Sequence, residues 1–162
     1  MSQIKAVALD VDGVLTDGTF WWGADGEEWK RFSFADVMGV SLGRRAGLIF
    51  ALVSGEDSPL VDRFARKMGI QDAYKDCKDK AAALRLFARN RGLELAEICF
   101  MGDDVNDLGA LALAGFKAAP ADAHASVKRC VDLVTTRPGG GGAVRELVDR
   151  LLGERDGAER QP

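Results

Sequence analysis

The stretch IKAVALDVDGVLT, residues 4–16, decides the fold: an apolar run stops at Asp10, and Asp10 and Asp12 flank one valine ahead of Gly13. A short continuous apolar run bounded by turn residues reads as a strand covered on both faces. The pattern recurs where residues 48–53 (LIFALV) stop at Ser54, and where residues 98–101 (ICFM) stop at Gly102-Asp103-Asp104. Residues 116–119 and 131–134 are weaker strand candidates. Between the strands, residues 60–68, 81–88, 108–114 and 143–152 carry apolar residues at helical spacing. Strand alternating with helix predicts a single doubly wound α/β domain built on a parallel sheet. Ligands of such sheets bind beyond the carboxyl ends of the strands. Asp10, Ser54 and Asp103 are therefore expected to converge on one edge.

The chain of 162 residues suits one domain, expected over residues 1–153, with the polar segment 154–162 read as a disordered tail. A net charge of -3, with Lys and Arg scattered, argues against a nucleic-acid surface. No apolar stretch is long enough to span a bilayer, and the N-terminus carries no signal-peptide pattern. Cys77, Cys99 and Cys130 form no C-x-x-C pair and read as buried free thiols of a reducing compartment, so a cytoplasmic protein is expected.

Two segments depart from the alternation. Residues 19–34 alternate around Gly23-Ala24-Asp25-Gly26 and read as a projecting β-hairpin. Residues 137–142 (RPGGGG) read as a flexible loop. The hairpin region holds Phe20, Trp21, Trp22, Trp29, Phe32 and Phe34, half of the aromatics in a chain with eight Phe, three Trp and one Tyr. A piece this small cannot bury them within itself. It either forms an interface with another copy or folds back on its own core.

Two carboxylates one residue apart at a strand end can divide labour. One attacks phosphorus, and the other exchanges a proton with the leaving and entering oxygens. The plainer reading is a strand running into a turn. Asp103, Asp104 and Asp107 offer the hard oxygens that a divalent cation prefers, or else cap a helix N-terminus. Ser54 with its neighbouring N–H groups can hold phosphate oxygens, and Lys80 can neutralise developing charge. Each feature is ordinary alone. Their order along the chain, three at strand ends and Lys80 where a helix starts, is what gives them weight.

The D-x-D-G-V-L-T run, the Ser54-Gly55 pair, Lys80 and the G-D-D-x-x-D run together resemble the four motifs of the haloacid dehalogenase superfamily of phosphatases. Asp17-Gly18, residues 32–36 followed by Gly39, Ala121-Asp122-Ala123-His124 and residues 139–146 narrow the resemblance. They are similar to the capless branch acting on 3-deoxy-D-manno-octulosonate 8-phosphate or 2-keto-3-deoxynononate 9-phosphate, sugars of lipopolysaccharide or sialic-acid-like biosynthesis. The resemblance implies a Rossmann-like domain without a cap. It makes Asp10 the nucleophile and a magnesium ligand, Asp12 the general acid/base and a ligand through its carbonyl, and Asp103 the third protein ligand. Ser54, Gly55 and Lys80 would hold the phosphoryl group. Asp104 and Asp107 would support them, Asp107 by orienting Lys80.

The octulosonate branch generally has Arg after the Ser/Thr-Gly pair, where this chain has Glu56. The nine-carbon branch has Glu there and often a Lys near the position of Lys67. The A-D-A-H and G-A-V-R-E stretches resemble the octulosonate branch instead. Glu56, Lys67 and Arg145 are the candidates for substrate selection. The intervals between motifs leave no room for a cap domain, and the resemblance implies a homotetramer whose hairpins cover neighbouring sites. Other readings are a phosphatase of another small metabolite, a signalling receiver domain, and the non-catalytic oligomerisation module fused to sialic-acid-activating enzymes.

Overall fold

The computed structural model describes residues 3–159, with the side chains of residues 154–159 excepted. The expected strands form. β1 (Ala6–Leu9), β4 (Ile49–Val53) and β6 (Ile98–Met101) lie side by side at the centre of a six-stranded sheet. β5 (Asp72–Tyr74) extends the sheet beyond β4, and β7 (Phe116–Ala119) and β8 (Leu133–Val134) extend it beyond β6. Every pairing in this sheet is parallel. The chain leaves β1 on one side and returns on the other, so the β1–β6 boundary is a switch point where the strand ends open a crevice.

Alternation along the strands sends side chains to two cores. Val7, Leu9, Phe50, Leu52, Cys99 and Met101 pack against α1 (Phe34–Arg45), α2 (Pro59–Met68) and α6 (Ala143–Glu159). Ala6, Ala8, Ala51, Val53, Ile98 and Phe100 pack against α3 (Lys80–Arg91), α4 (Leu108–Leu111) and α5 (Ala125–Lys128). These central strands are buried on both faces, which is why their sequences read as unbroken apolar runs.

Helix ends carry local signals. Ser58 caps α2 ahead of Pro59, and Asp79 caps α3, placing Lys80 at its first position. Buried Asp36 of α1 accepts from the N–H groups of Gly142 and Arg145 at 3.2 and 3.1 Å, so one helix supplies the cap for the start of another.

Three expectations change. The RPGGGG segment is packed rather than flexible: Gly139 and Gly140 are buried, and the Gly140 N–H donates to the Val14 carbonyl at 2.9 Å. A Cβ at Gly139 would overlap the Gly13 carbonyl, so glycine there permits close approach. Of the cysteines only Cys99 is buried, while Cys77 is half-buried and Cys130 exposed. The helix that precedes the expected tail runs to Glu159, which shortens the segment that could be a tail without testing its order, and residues 160–162 lie outside the described residues.

The hairpin forms as a short antiparallel pair, β2 (Trp21–Trp22) with β3 (Glu28–Trp29). Phe32 turns back onto the core and stacks on Phe64 at 4.8 Å between ring centroids. Phe20, Trp21, Trp22, Trp29 and Phe34 stay exposed, Phe34 by 83%. No helix among the described residues is long and apolar enough to cross a membrane.

Candidate active site

Each central strand delivers one part to the same edge. Asp10, the residue after β1, is 4% exposed, and its N–H donates to the Met101 carbonyl at 3.0 Å. Its Oδ1 accepts from the Val11 N–H at 2.7 Å and faces Lys80 Nζ at 2.9 Å. Gly13 follows at φ 86°, where a Cβ would overlap the Asp103 carboxylate. The turn is closed from inside by buried Thr16, whose Oγ1 accepts from the N–H groups of Gly13 and Gly18 at 3.3 and 3.2 Å.

Ser54 follows β4 and is fully buried. Its Oγ accepts from the Glu56 N–H at 3.1 Å, and its own N–H donates to the Tyr74 carbonyl at 2.8 Å. Gly55 and Glu56 reach the cleft, with Glu56 exposed. Asp103 stands beyond β6. Asp104 caps the turn after it by accepting from the Val105 N–H at 2.7 Å.

Lys80 ties the set together. Its ammonium, buried with the residue only 2% exposed, lies 2.9 Å from Asp10 Oδ1 and 2.7 Å from Asp107 Oδ1. Burial alone would lower its pKa, but the two carboxylates outweigh burial and hold it above its ordinary value. Asp107 Oδ2 accepts from the N–H groups of Asp103 and Asp104 at 2.9 and 3.2 Å. Oxygens of Asp10, Asp103 and Asp107 lie within 4.8 Å of one another. Both Asp107 oxygens are already engaged, one by Lys80 and one by backbone N–H groups, so Asp10 and Asp103 are the side chains with capacity for a cation.

The electrostatics call for one. Three clustered carboxylates face a single ammonium. Burial, with Asp107 adding to it, pushes the Asp10 carboxyl well above its ordinary value against the pull of Lys80. Burial and Asp107 likewise raise the Asp103 carboxyl to about 6. A hard divalent cation on Asp10 and Asp103 relieves this excess, and the oxygen-only donor set fits such an ion.

Asp10, Asp12, Gly18, Gly55, Glu56, Lys80, Asp103, Asp104 and Asn106 line a polar cleft of about 230 Å³. Lys67 and Arg145 are not brought to it. Lys67 lies 5.9 Å over the Phe34 ring beside the hairpin, and Arg145 pairs with Asp149 at 2.8 Å. Thr16 was read only as the last residue of the first motif, and two contributors were not singled out in the sequence: Asn106 and Lys30, the latter lying 2.8 Å from Asp12 Oδ1. Lys30 carried one available signal, a charge set between Trp29 and Phe32 in an aromatic segment.

Comparison with known proteins gives the family. A family model described as haloacid dehalogenase-like hydrolase matches residues 46–147. The chain is 38% identical over 152 residues to the 3-deoxy-D-manno-octulosonate 8-phosphate phosphatase of Haemophilus influenzae, covering 94% of this chain and 84% of that one. It is 34% identical over 150 residues to the Escherichia coli K12 enzyme of the same name, covering 93% of this chain and 80% of the other. The Moraxella catarrhalis octulosonate 8-phosphate phosphatase, solved with a magnesium ion, a phosphate ion and the sugar acid, superposes with a TM-score of 0.91. It is 34% identical, over 98% of this chain and 94% of that one.

Protons compete with a cation for Asp103. A carboxyl raised to about 6 is protonated below that pH, so cation affinity is lost as pH falls through it. Magnesium titrated calorimetrically into the protein should bind about tenfold more weakly at pH 5 than at pH 7. Equal affinity at the two pH values would contradict the assignment.

Proposed function

This chain belongs to the haloacid dehalogenase-like hydrolases, and on that premise we propose that it hydrolyses 3-deoxy-D-manno-octulosonate 8-phosphate, using magnesium and a phosphate carried on Asp10. It is a hydrolase of phosphoric monoesters. The observation that carries the reading is the buried carboxylate cluster, only partly neutralised by Lys80, at the mouth of a polar cleft. Such a cluster suits a bound cation and the dianionic phosphate that accompanies it.

Val11 N–H and Lys80 fix the rotation of the Asp10 carboxylate. An Asp10 oxygen attacks phosphorus, the phosphorus bond to the sugar oxygen breaks, and Asp12 gives that oxygen its proton. Asp12 then takes a proton from water, the water oxygen attacks phosphorus, and the bond to Asp10 breaks to release phosphate. Ser54, Gly55 and Lys80 hold the phosphoryl oxygens through both steps. Asp10, Asp103 and the Asp12 carbonyl would hold the magnesium, which would supply charge neutralisation for the phosphoryl group. Asp104 and Asp107 support them, Asp107 by aiming Lys80.

Among the described residues, Lys80 is the one cation lining the cleft, and two carboxylates already use it. The sugar carboxylate then falls to a cation outside the cleft lining, either exposed Lys78, whose ammonium donates to the Gly55 carbonyl at 3.4 Å, or one from a neighbouring copy. The exposed hairpin aromatics support a homotetramer, and within it Lys67 and Arg145 are the residues offered to a neighbour's site. A second reading, the nine-carbon nononate 9-phosphate, is favoured by Glu56 on the cleft wall. A carboxylate there accepts from polyol hydroxyls and repels a sugar carboxylate.

Two measurements test these readings. The kcat/KM of the wild type should favour octulosonate 8-phosphate over nononate 9-phosphate, and Glu56→Arg should widen that ratio about tenfold, as one charge-assisted hydrogen bond allows. A wild-type preference for the nine-carbon ester would transfer the proposal to that substrate. Light scattering should give a tetramer, and Trp21→Asp should lower its mass by placing an unpaired charge in the interface. A wild-type monomer at micromolar concentration would refute the assembly.

A further inference from the structure

Asp12 is held from outside the sheet. Its Oδ1 lies 2.8 Å from the ammonium of Lys30, the residue that follows β3 on the return leg of the hairpin. The hairpin tip is open to solvent, yet the Lys30 side chain is only 4% exposed. Glu28 Oε1 stands 3.6 Å from the same ammonium and accepts from Ser58 Oγ at 3.4 Å, while Glu28 Oε2 accepts from Trp22 Nε1 at 3.1 Å. Ser58 is the residue that caps α2, directly beyond the Ser54-Gly55 turn. Strand alternation puts Glu28 and Lys30 on one face and Trp29 on the other. A chain of contacts therefore runs from Asp12 through Lys30 and Glu28 to the start of α2.

A buried ammonium is costly, and a hairpin leg does not require one. Lys30 borders a cavity of about 290 Å³ whose lining is mostly aromatic and aliphatic but also includes two further cations, Arg63 and Lys67. The position spends its charge on Asp12. With Oδ1 occupied by the ammonium, Oδ2 is left for the cleft that Asp12 lines.

We propose that Lys30 is a positioning residue for Asp12, fixing its carboxylate by an ion pair so that the second oxygen exchanges protons with the leaving and entering oxygens. This rests on the phosphatase reading above. It adds no new step: Lys30 keeps its proton throughout, and the transfers remain between Asp12, the sugar oxygen and water. General acid–base assistance depends on reach and orientation, and a displaced acid loses most of its effect. The hairpin thus supports the chemistry of its own chain, apart from any contact it makes with another copy.

The test uses two leaving groups in the full-length enzyme. Octulosonate 8-phosphate departs as an alkoxide that needs a proton, whereas p-nitrophenyl phosphate departs as a stable phenolate that does not. kcat/KM reports the step in which the leaving group departs. Lys30→Met should lower it about 100-fold on the sugar ester and less than about fivefold on the aryl ester, with the magnesium dependence unchanged. Lys30→Arg, which keeps the cation with altered geometry, should lose about tenfold on the sugar ester and recover most of the aryl activity. If Lys30→Met does not fold by circular dichroism, Lys30→Arg decides on the same contrast. An equal loss on both esters, or no loss on either, overturns the inference. Wild type that hydrolyses neither ester would overturn the phosphatase reading itself, a different and separately visible failure.

Discussion

Lys80 sits at the buried edge of the sheet with its ammonium between Asp10 Oδ1 at 2.9 Å and Asp107 Oδ1 at 2.7 Å, and the geometry of the site follows from that contact. It joins the end of β1, the start of α3 and the turn after β6. Losing one partner of such a buried pair typically costs about 3–5 kcal/mol, because the other charge is stranded without water. The pair also fixes which groups remain free. Lys80 holds one Asp107 oxygen and the backbone N–H groups of Asp103 and Asp104 hold the other, so Asp10 and Asp103 are left for a cation. A polar edge of this kind survives in a folded chain because the central strands bury apolar side chains on both faces.

The same edge explains the glycines and the packed loop. Motif turns that bring Asp10 and Asp103 close leave no space for a side chain at Gly13. The glycine-rich segment lies against that turn from the other side, so its composition records crowding rather than mobility. Asp36 anchors the far end of the segment by capping the start of α6. Hairpin, glycine loop and strand ends all meet around the turn bearing Asp10 and Asp12.

Much of this was legible in the sequence because the deciding signals are local. Unbroken apolar runs located β1, β4 and β6, and each run ended at or just before a residue that lines the cleft: Asp10, Gly55 and Asp103. The interval from Ser54 to Lys80 was expected to hold a helix and a short strand, but β5 has three residues, none fully buried, so no run marked its place. The one helix expected between hairpin and Ser54 was likewise unmarked by any stripe in α1. Its buried positions are Asp36, Gly39, Val40 and Gly43, so the face it packs is hardly apolar and shows no stripe. Lys30 could not be assigned from spacing, since its significance lies in a contact with a residue eighteen positions earlier across a hairpin. The hairpin aromatics divided in a way their pattern did not reveal, with Phe32 turning inward to Phe64 and the others staying exposed.

Everything in the proposed chemistry depends on Asp10 forming a bond to phosphorus. Acid quenching during turnover of octulosonate 8-phosphate, followed by borohydride reduction and peptide mass spectrometry, tests that bond directly. A carboxylate carrying phosphate is reduced to the corresponding alcohol, and a free carboxylate is not. Homoserine at position 10, formed only when substrate and magnesium are both present, is the expected result. An unmodified Asp10 under conditions of active turnover, or reduction at Asp12 or Asp103 instead, would contradict the account.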